Sequence, residues 1–227
     1  MHQGFAAVLV SLAVFVARLP SGATATAKGT MWADSTDSGG CQMPQGRYKI
    51  QHALALGQSP DLGNLAWRNG LCGQVLRVNC GGSSVEAVVA STCNLGSGSC
   101  GVDLIRKTWN LATGNKPPGI AQCSVELSKT NPFNAAGPVC YTRPFSSPQA
   151  YFTSLGVFNT GGKIVKSAVA AGVNGRFQSG SGYFDFDGQG QPKFIDSASV
   201  TFTYEDGSKA SFKLKDCKKS TGVNIWR

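Results

Sequence analysis

The cysteines of this 227-residue chain constrain its fold more than any other feature of the sequence. Eight cysteines are present, and no two of them form a C-x-x-C pair. A break in composition over residues 131–138, with two prolines and a glycine, divides them into six upstream and two downstream. Each side therefore holds an even number, as two separately closed disulfide sets require. The sequence predicts two small domains, each held by its own disulfides.

The start of the chain indicates secretion. Residues 5–17 form an almost unbroken apolar run, which is too short to span a bilayer at about 20 residues. Small residues follow, and both Ala23-x-Ala25 and Ala25-x-Ala27 fit a cleavage site. We expect residues 1–25 to be a signal peptide and the product to be secreted and extracellular, with no membrane partner. A buried N-terminal helix is the alternative interpretation.

The excess of basic residues in the chain indicates which kind of partner it attracts. The 21 Lys and Arg residues outnumber the 12 Asp and Glu residues, and six basic residues lie within 209–227. This balance predicts attraction to polyanions such as acidic wall polysaccharides, although general solubility explains it equally well. No nucleic-acid partner is expected, because no binding motif is recognisable. His52 is the one histidine beyond the leader, so we expect no metal site, no Ser-His-Asp hydrolase and no cofactor.

Strand patterns run through both halves of the chain. Upstream, residues 75–79 and 85–89 predict strands joined at Gly81-Gly82, and residues 124–127 alternate again. Residues 102–112 have apolar positions near helical spacing and predict a helix that ends before Gly114. Downstream, strands are predicted at 151–158, 163–169, 182–186, 199–204 and 210–214, with a hairpin at Asp206-Gly207. Short strands with one long-range cysteine pair predict a β-sandwich.

Short motifs of the upstream half carry a family resemblance. They are, in chain order, Gly29-Thr30-Met31-Trp32, Gly40-Cys41, Cys72-Gly73, residues 88–93 and Val102-Asp103-Leu104. In this order they resemble the double-psi β-barrel of expansins, rare-lipoprotein-A-like proteins and family-45 endoglucanases. The downstream half is similar to the second expansin domain, an immunoglobulin-like carbohydrate-binding module.

This resemblance implies a mainly β protein with two domains. A six-stranded double-psi β-barrel would occupy residues 28–130 and a linker residues 131–138. An immunoglobulin-like β-sandwich would follow over residues 139–227.

The resemblance also implies candidate catalytic residues. In the family-45 pattern the general acid falls on Asp103 and the base on Asp34, two residues after Trp32. Glycoside hydrolysis uses such a carboxyl pair. Expansins keep the first aspartate and lack the second, and Thr92 stands where expansins carry a further aspartate. Asp103 also suits the start of the predicted helix, and Asp34 also suits a solvated loop.

Candidate binding residues lie in both domains. In the barrel, a sugar groove would be lined by Thr30, Trp32, Ser91 and Thr92, although Trp32 is as well explained by core packing. In the sandwich, alternation along residues 183–186 predicts Phe184 and Phe186 in the core and Tyr183 on the outer face. The outward aromatic candidates for stacking on sugar rings are Tyr183, Tyr151 and Trp226, and for Trp226 a docked terminal strand is equally plausible.

The disulfides can be assigned as hypotheses. Cys93 and Cys100 enclose a short flexible loop, so we expect them to pair. Six cysteines allow 15 connectivities, and Cys41–Cys72 with Cys80–Cys123 would complete the barrel set. Cys140–Cys217 would tie the two ends of the sandwich.

We expect, from these features, a monomeric expansin-like protein that binds wall polysaccharide, such as cellulose, a matrix glycan or pectin, and loosens it without hydrolysis. The first alternative is a family-45-like glycoside hydrolase or lytic transglycosylase relative. The second alternative is a secreted protease inhibitor or effector-like protein-binding barrel, which would present the loop between Cys93 and Cys100 as its recognition tip.

Overall fold

The upstream half of the chain forms a closed barrel. The computed structural model describes residues 24–32, 39–45, 48–93, 99–144, 146 and 149–220. Six strands close in the order β1-β5-β2-β4-β3-β6, with β1 parallel to β5 and β2 parallel to β4. They are β1 (Ala25–Trp32), β2 (Ala53–Leu56), β3 (Val75–Asn79), β4 (Val85–Thr92), β5 (Val102–Ile105) and β6 (Ala121–Ser128). This is the predicted six-stranded double-psi barrel.

Local sequence explains the regular pairs of the barrel. β3 and β4 are the β-branched runs predicted on either side of Gly81-Gly82, and they pair antiparallel from Val75 opposite Val88. Their inward Val, Leu and Ala side chains are almost fully buried. Short 3-10 helices at Pro60–Leu65 and Asn69–Leu71 connect β2 to β3.

The helix predicted over residues 102–112 is wrong in its first four residues. The structure has β5 there, and helix α1 spans Arg106–Thr113 before ending at Gly114 with a left-handed backbone. The reason is tertiary: β5 lies between β1 and β2 and completes the barrel wall. Asp103 therefore lies in a strand, and the helix-start interpretation of its side chain is wrong.

The downstream half forms two stacked sheets. One has the order β10-β9-β13-β14 and the other β11-β12-β8-β7-β15. Their facing side chains form a core that includes Phe184, Phe186 and Phe202, so the predicted core positions of the first two are confirmed. The strands are β7 (Val139–Thr142), β8 (Phe152–Phe158), β9 (Val165–Ala170), β10 (Val173–Asn174), β11 (Arg176–Phe177), β12 (Tyr183–Asp187), β13 (Ser199–Tyr204), β14 (Lys209–Lys213) and β15 (Lys218–Lys219), with a 3-10 helix at Leu214–Asp216 before β15.

Four disulfides are present, and they are the four predicted pairs. Three lie in the barrel half, at Cys41–Cys72, Cys80–Cys123 and Cys93–Cys100. The fourth, Cys140–Cys217, joins β7 to the residue before β15. None of the described helices has the length and hydrophobicity needed to cross a bilayer.

Aromatic side chains join the barrel to the sandwich. Neighbouring ring centroids are 4.5 to 6.1 Å apart along the series Tyr48, Phe133, Tyr141, Phe158 and Tyr183. All five rings are buried and belong to the same apolar cluster as the barrel core. The prediction that Tyr183 binds sugar on an exposed sheet face is therefore wrong, because that part of the face is covered by the barrel.

Hydrogen bonds reinforce this junction. The buried Gln74 amide donates to Thr160 Oγ1 at 2.9 Å and to the Lys163 carbonyl at 3.0 Å. Asn69 donates to the carbonyls of Gln178 and Ser181 at 2.6 and 2.8 Å. The barrel side chains thus satisfy backbone carbonyls of two sandwich loops, which fixes the orientation of one domain on the other.

The segment predicted as a linker is anchored at several points. Asn159 Oδ1 accepts a hydrogen bond from the Phe133 backbone N–H, and its amide donates to the carbonyls of Ala135 and Gly137. One buried asparagine of the sandwich thereby holds most of residues 131–138. The domain boundary inside this segment stays a prediction.

The junction leads to a stability prediction. A Cβ added at Gly73 would lie 2.6 Å from a Phe158 ring carbon, and Gly73 also has a positive φ of 75°. Gly73→Ala combines backbone strain of about 1 kcal/mol with overpacking of about 1–3 kcal/mol. We expect a loss of about 3 kcal/mol in the free energy of unfolding, measured with urea while the disulfides are intact.

Gly172 offers a matched control for this substitution. It has a similar φ of 79°, and an added Cβ would meet nothing within 4 Å. Gly172→Ala should therefore cost only the backbone strain, about 1 kcal/mol. Equal losses in the two variants would contradict the tight packing of Phe158 on the barrel.

Candidate functional site

Four barrel strands bring one residue each into a single row. Thr30 of β1 pairs with Asp103 of β5, Asp103 pairs with Ala55 of β2, and Ala55 pairs with Ser91 of β4. Residues opposite one another on paired strands share a face of the sheet. Three strand spacings of about 4.8 Å make this row about 14 Å long. We call Thr30, Asp103, Ala55 and Ser91 the polar row.

Asp103 is the carboxyl group of the polar row. Its Oδ1 accepts a hydrogen bond of 2.8 Å from Thr30 Oγ1, which comes from 73 residues away in the chain. Partial burial raises the pKa of Asp103, and the Thr30 hydrogen bond opposes part of that rise. Folding therefore favours the protonated carboxyl, and the stability linked to this group falls as pH rises through its folded pKa.

The other end of the polar row lies under a glycine loop. Ser91 Oγ accepts a hydrogen bond of 3.0 Å from the Gly40 backbone N–H. A Cβ at Gly39 would lie 2.0 Å from the Ala90 carbonyl, so only glycine allows this loop to approach β4 so closely. The Cys41–Cys72 disulfide holds the same loop in place.

Thr92 is the next residue along β4, and its hydroxyl is buried. Among the described residues Thr92 Oγ1 has no hydrogen-bond partner. A buried hydroxyl without a partner costs about 1–3 kcal/mol. Thr92 pairs with the buried Leu56, so its side chain lies on the opposite face of β4 from Ser91 and the polar row.

Two further sequence candidates lie at the end of β1. Trp32 is half-buried and packs on the barrel core, with Ile105 as its register partner. It is therefore largely a packing residue that stays partly exposed. Asp34, the candidate base, lies outside the described residues, as does the loop over residues 94–98.

Tyr151 is the exposed aromatic candidate of the sandwich. Its side chain is 52% exposed, and the neighbouring Phe152 is 41% exposed. Both lie where β8 begins, whereas Cys140 pairs with Val157 near the other end of that strand. Trp226 lies outside the described residues. Tyr151 thus has the accessibility that stacking on a sugar ring requires.

Two features of these sites have no signal in the sequence. Ala55 forms the floor between Asp103 and Ser91, but its position depends on a register shift after Leu54. Near Tyr151, a cavity of about 480 Å³ opens beside strands β7, β8 and β15. Its lining comes from separate strands and loops, so only the folded chain brings those residues together. No metal-binding group of three His, Cys, Asp or Glu residues occurs in the described ranges.

Two crystal structures of the expansin of Clavibacter michiganensis are similar to this chain. A substituted form in complex with cellohexaose superposes with a TM-score of 0.65 and 17% identity over 89% of this chain and 96% of that chain. The apo form gives 0.62 and 18% over the same shares. The chain has an expansin-like fold. No protein-family model matches it, and no curated protein matches its sequence.

The expansin-like fold accounts for both halves of the chain. At this level of identity the likeness concerns the fold, namely a double-psi barrel followed by a sandwich. The polar row lies on the barrel part of that fold, and Tyr151 lies on the sandwich part. The ligand of each surface follows from the side chains of that surface.

The Thr30–Asp103 contact leads to a pH prediction. Thr30→Val removes the hydrogen bond that stabilises the ionised carboxylate and leaves the burial in place. We therefore expect the pKa of Asp103 to rise further, measured by NMR titration of its side-chain carboxyl carbon. Thr203→Val, in the sandwich, should leave that titration unchanged. A lower or unaltered pKa in Thr30→Val would contradict the assigned hydrogen bond.

Proposed function

We propose that this protein is a secreted, expansin-like protein that binds cell-wall polysaccharide and remodels it without hydrolysing it. The observation that carries the proposal is the polar row, with its Thr30–Asp103 pair, on the wall of a double-psi barrel. A hydroxyl, a carboxyl and a second hydroxyl stand across four strands, with a flat alanine floor between them. This pattern suits the repeated hydroxyl groups of a sugar chain.

The chemistry of the polar row favours binding over hydrolysis. Glycosidases of the usual kind need two carboxyl groups, spaced at about 5–9.5 Å across the scissile bond. The polar row contains one carboxyl, that of Asp103, and Thr92 supplies a hydroxyl where a further acid would be expected. Binding with rearrangement of hydrogen bonds requires no second carboxyl.

Secretion is supported by the disulfides. Four disulfides in a chain of this size fit an oxidising compartment. In this proposal, the leader over residues 1–25 directs the protein to secretion. The net positive charge supports attraction to a wall that contains acidic polymers.

One observation favours a second candidate function, glycoside hydrolysis. Burial raises the pKa of Asp103, which is the direction needed in a general acid that stays protonated near its working pH. In that case Asp34 would act as the base. The two functions differ in whether reducing ends are released.

Substitution of Asp103 separates these functions. If the protein loosens walls without cleavage, Asp103→Asn should lower cellulose binding and wall extension by about tenfold, the effect of one charge-assisted hydrogen bond. Neither the parent nor the variant should release reducing ends. Asp187→Asn, an exposed carboxyl in the sandwich, serves as control. Reducing ends that appear with the parent and vanish in Asp103→Asn would establish the hydrolase instead.

The hydroxyl of Thr92, which has no hydrogen-bond partner among the described residues, gives a separate test at the end of β4. Thr92→Val keeps the shape and removes a buried hydroxyl that lacks a partner, so we expect the free energy of unfolding to rise by about 1 kcal/mol. If sugar hydroxyls bond this group, the same variant should bind cello-oligosaccharides about fivefold more weakly. Higher stability with unchanged binding would remove Thr92 from the binding surface.

A further inference from the structure

A cavity of about 480 Å³ lies beside strands β7, β8 and β15 of the sandwich, with Cys217 of the disulfide in its lining. Its floor is apolar and includes Leu155 and Phe194, both buried. Thr142 and Thr153, from the inner faces of β7 and β8, place hydroxyl groups beside that floor. A volume in this range falls among small-ligand sites, and the mostly polar lining suits a polar ligand. We call this space the sandwich-end cavity.

Charged side chains surround the sandwich-end cavity. Lys215 and Lys219 stand on one side of it and Asp196 contributes one carboxylate. Within the described ranges neither lysine has an ion-pair partner at 4 Å or less. The lining therefore has two lysines and one carboxylate, an excess of one positive charge.

A second cavity continues this surface across β15. It measures about 430 Å³ and lies against the barrel, where Tyr141, Lys218 and Lys219 line it. Lys218 pairs with Tyr141 and Lys219 with Thr142, so the two lysines of the edge strand point to opposite faces of the sheet. Lys219 reaches both cavities. An extended ligand that passes over β15 would meet a cation on each side.

An exposed aromatic residue follows the cavity lining in the chain. Ala150 lines the cavity, and the next residue, Tyr151, is 52% exposed. An exposed tyrosine ring can provide a stacking surface for a sugar. The hydroxyl groups and lysines of the lining, with this neighbouring tyrosine, match a sugar that carries its own carboxylate.

We propose that the sandwich-end cavity binds a uronate residue of an acidic polysaccharide, with the sugar carboxylate held by Lys215 and Lys219. Thr142, Thr153 and Asp196 contact the ring hydroxyls, and Tyr151 stacks on the adjoining sugar. This proposal rests on the proposed function, because it names the class of wall polymer that the sandwich selects. The polar row of the barrel remains the proposed site for an uncharged polysaccharide.

The test uses tetragalacturonate as the probe and its fully methyl-esterified form as the uncharged match. With the full-length secreted protein, we expect amide NMR shifts at Thr142, Thr153 and Lys219 on addition of tetragalacturonate. Each lysine–carboxylate contact is expected to contribute about tenfold in affinity. The esterified form should therefore bind at least tenfold more weakly, and the Lys215→Gln/Lys219→Gln double variant should lose a similar factor.

Lys166→Gln/Lys209→Gln is the matched control, because it removes the same charge from exposed positions that line neither cavity. We expect its affinity for tetragalacturonate to change by less than about twofold. Equal losses in both double variants would show attraction to net charge and would overturn the proposal. Shifts confined to the barrel, or equal binding of the esterified probe, would overturn it as well.

A third variant controls for unfolding caused by the lysine substitutions. Thr153→Val is nearly isosteric and should weaken tetragalacturonate about threefold through one lost hydrogen bond, while the unfolding curve stays the same. Cellohexaose binding, followed at Thr30 and Asp103, should be unchanged in every sandwich variant. Loss of tetragalacturonate binding alone therefore bears on this proposal, whereas absence of cellohexaose binding in the parent bears on the proposed function.

Discussion

The apolar contact between barrel and sandwich is the interaction on which the rest of the structure depends. Domains joined by a short segment move relative to each other unless the interface is large and hydrophobic. Here a continuous series of buried rings, from Tyr48 to Tyr183, extends the apolar cluster of the barrel onto one face of a sandwich sheet, while the sandwich keeps its own core. Each buried ring contributes about 1.5–3 kcal/mol. For a polymer that touches both domains, this rigidity removes the entropy cost of ordering them on binding.

The polar contacts at this junction set orientation more than they add stability. Gln74 and Asn69 are satisfied by backbone carbonyls of the sandwich, so a rotated arrangement would leave those amides buried without partners. The paired Arg68 and Glu205 side chains lie at the rim, 37% and 42% exposed, where an ion pair contributes little. The barrel surface that carries the polar row and the sandwich end that carries Tyr151 therefore keep one relative geometry.

Features that depend on residues close together in the chain could be predicted from the sequence. The β3–β4 hairpin, the Asp206-Gly207 turn and the even division of cysteines follow from local chemistry and from counting. The sequence predicts a helix where β5 lies, because residues 102–105 have helical spacing. They form a strand because β1 and β2 lie on either side of them. Tyr183 was misplaced for a similar reason, since alternation gives its face correctly but cannot show that a second domain covers that face. The partner of Asp103, 73 residues away, was equally beyond local reasoning.

A binding surface made of incompletely satisfied groups has a stability cost, and the disulfides explain how the barrel tolerates it. Asp103 is partly desolvated, and the buried hydroxyl of Thr92, which lacks a partner among the described residues, costs about 1–3 kcal/mol. The Cys80–Cys123 loop of 43 residues alone contributes about 4 kcal/mol in the chain-entropy model. Groups left unsatisfied in this way gain most from a ligand that completes their hydrogen bonds, because the fold has already removed them from water. The same argument favours a ligand with many hydroxyl groups over a protein partner, whose backbone would match the polar row at few positions.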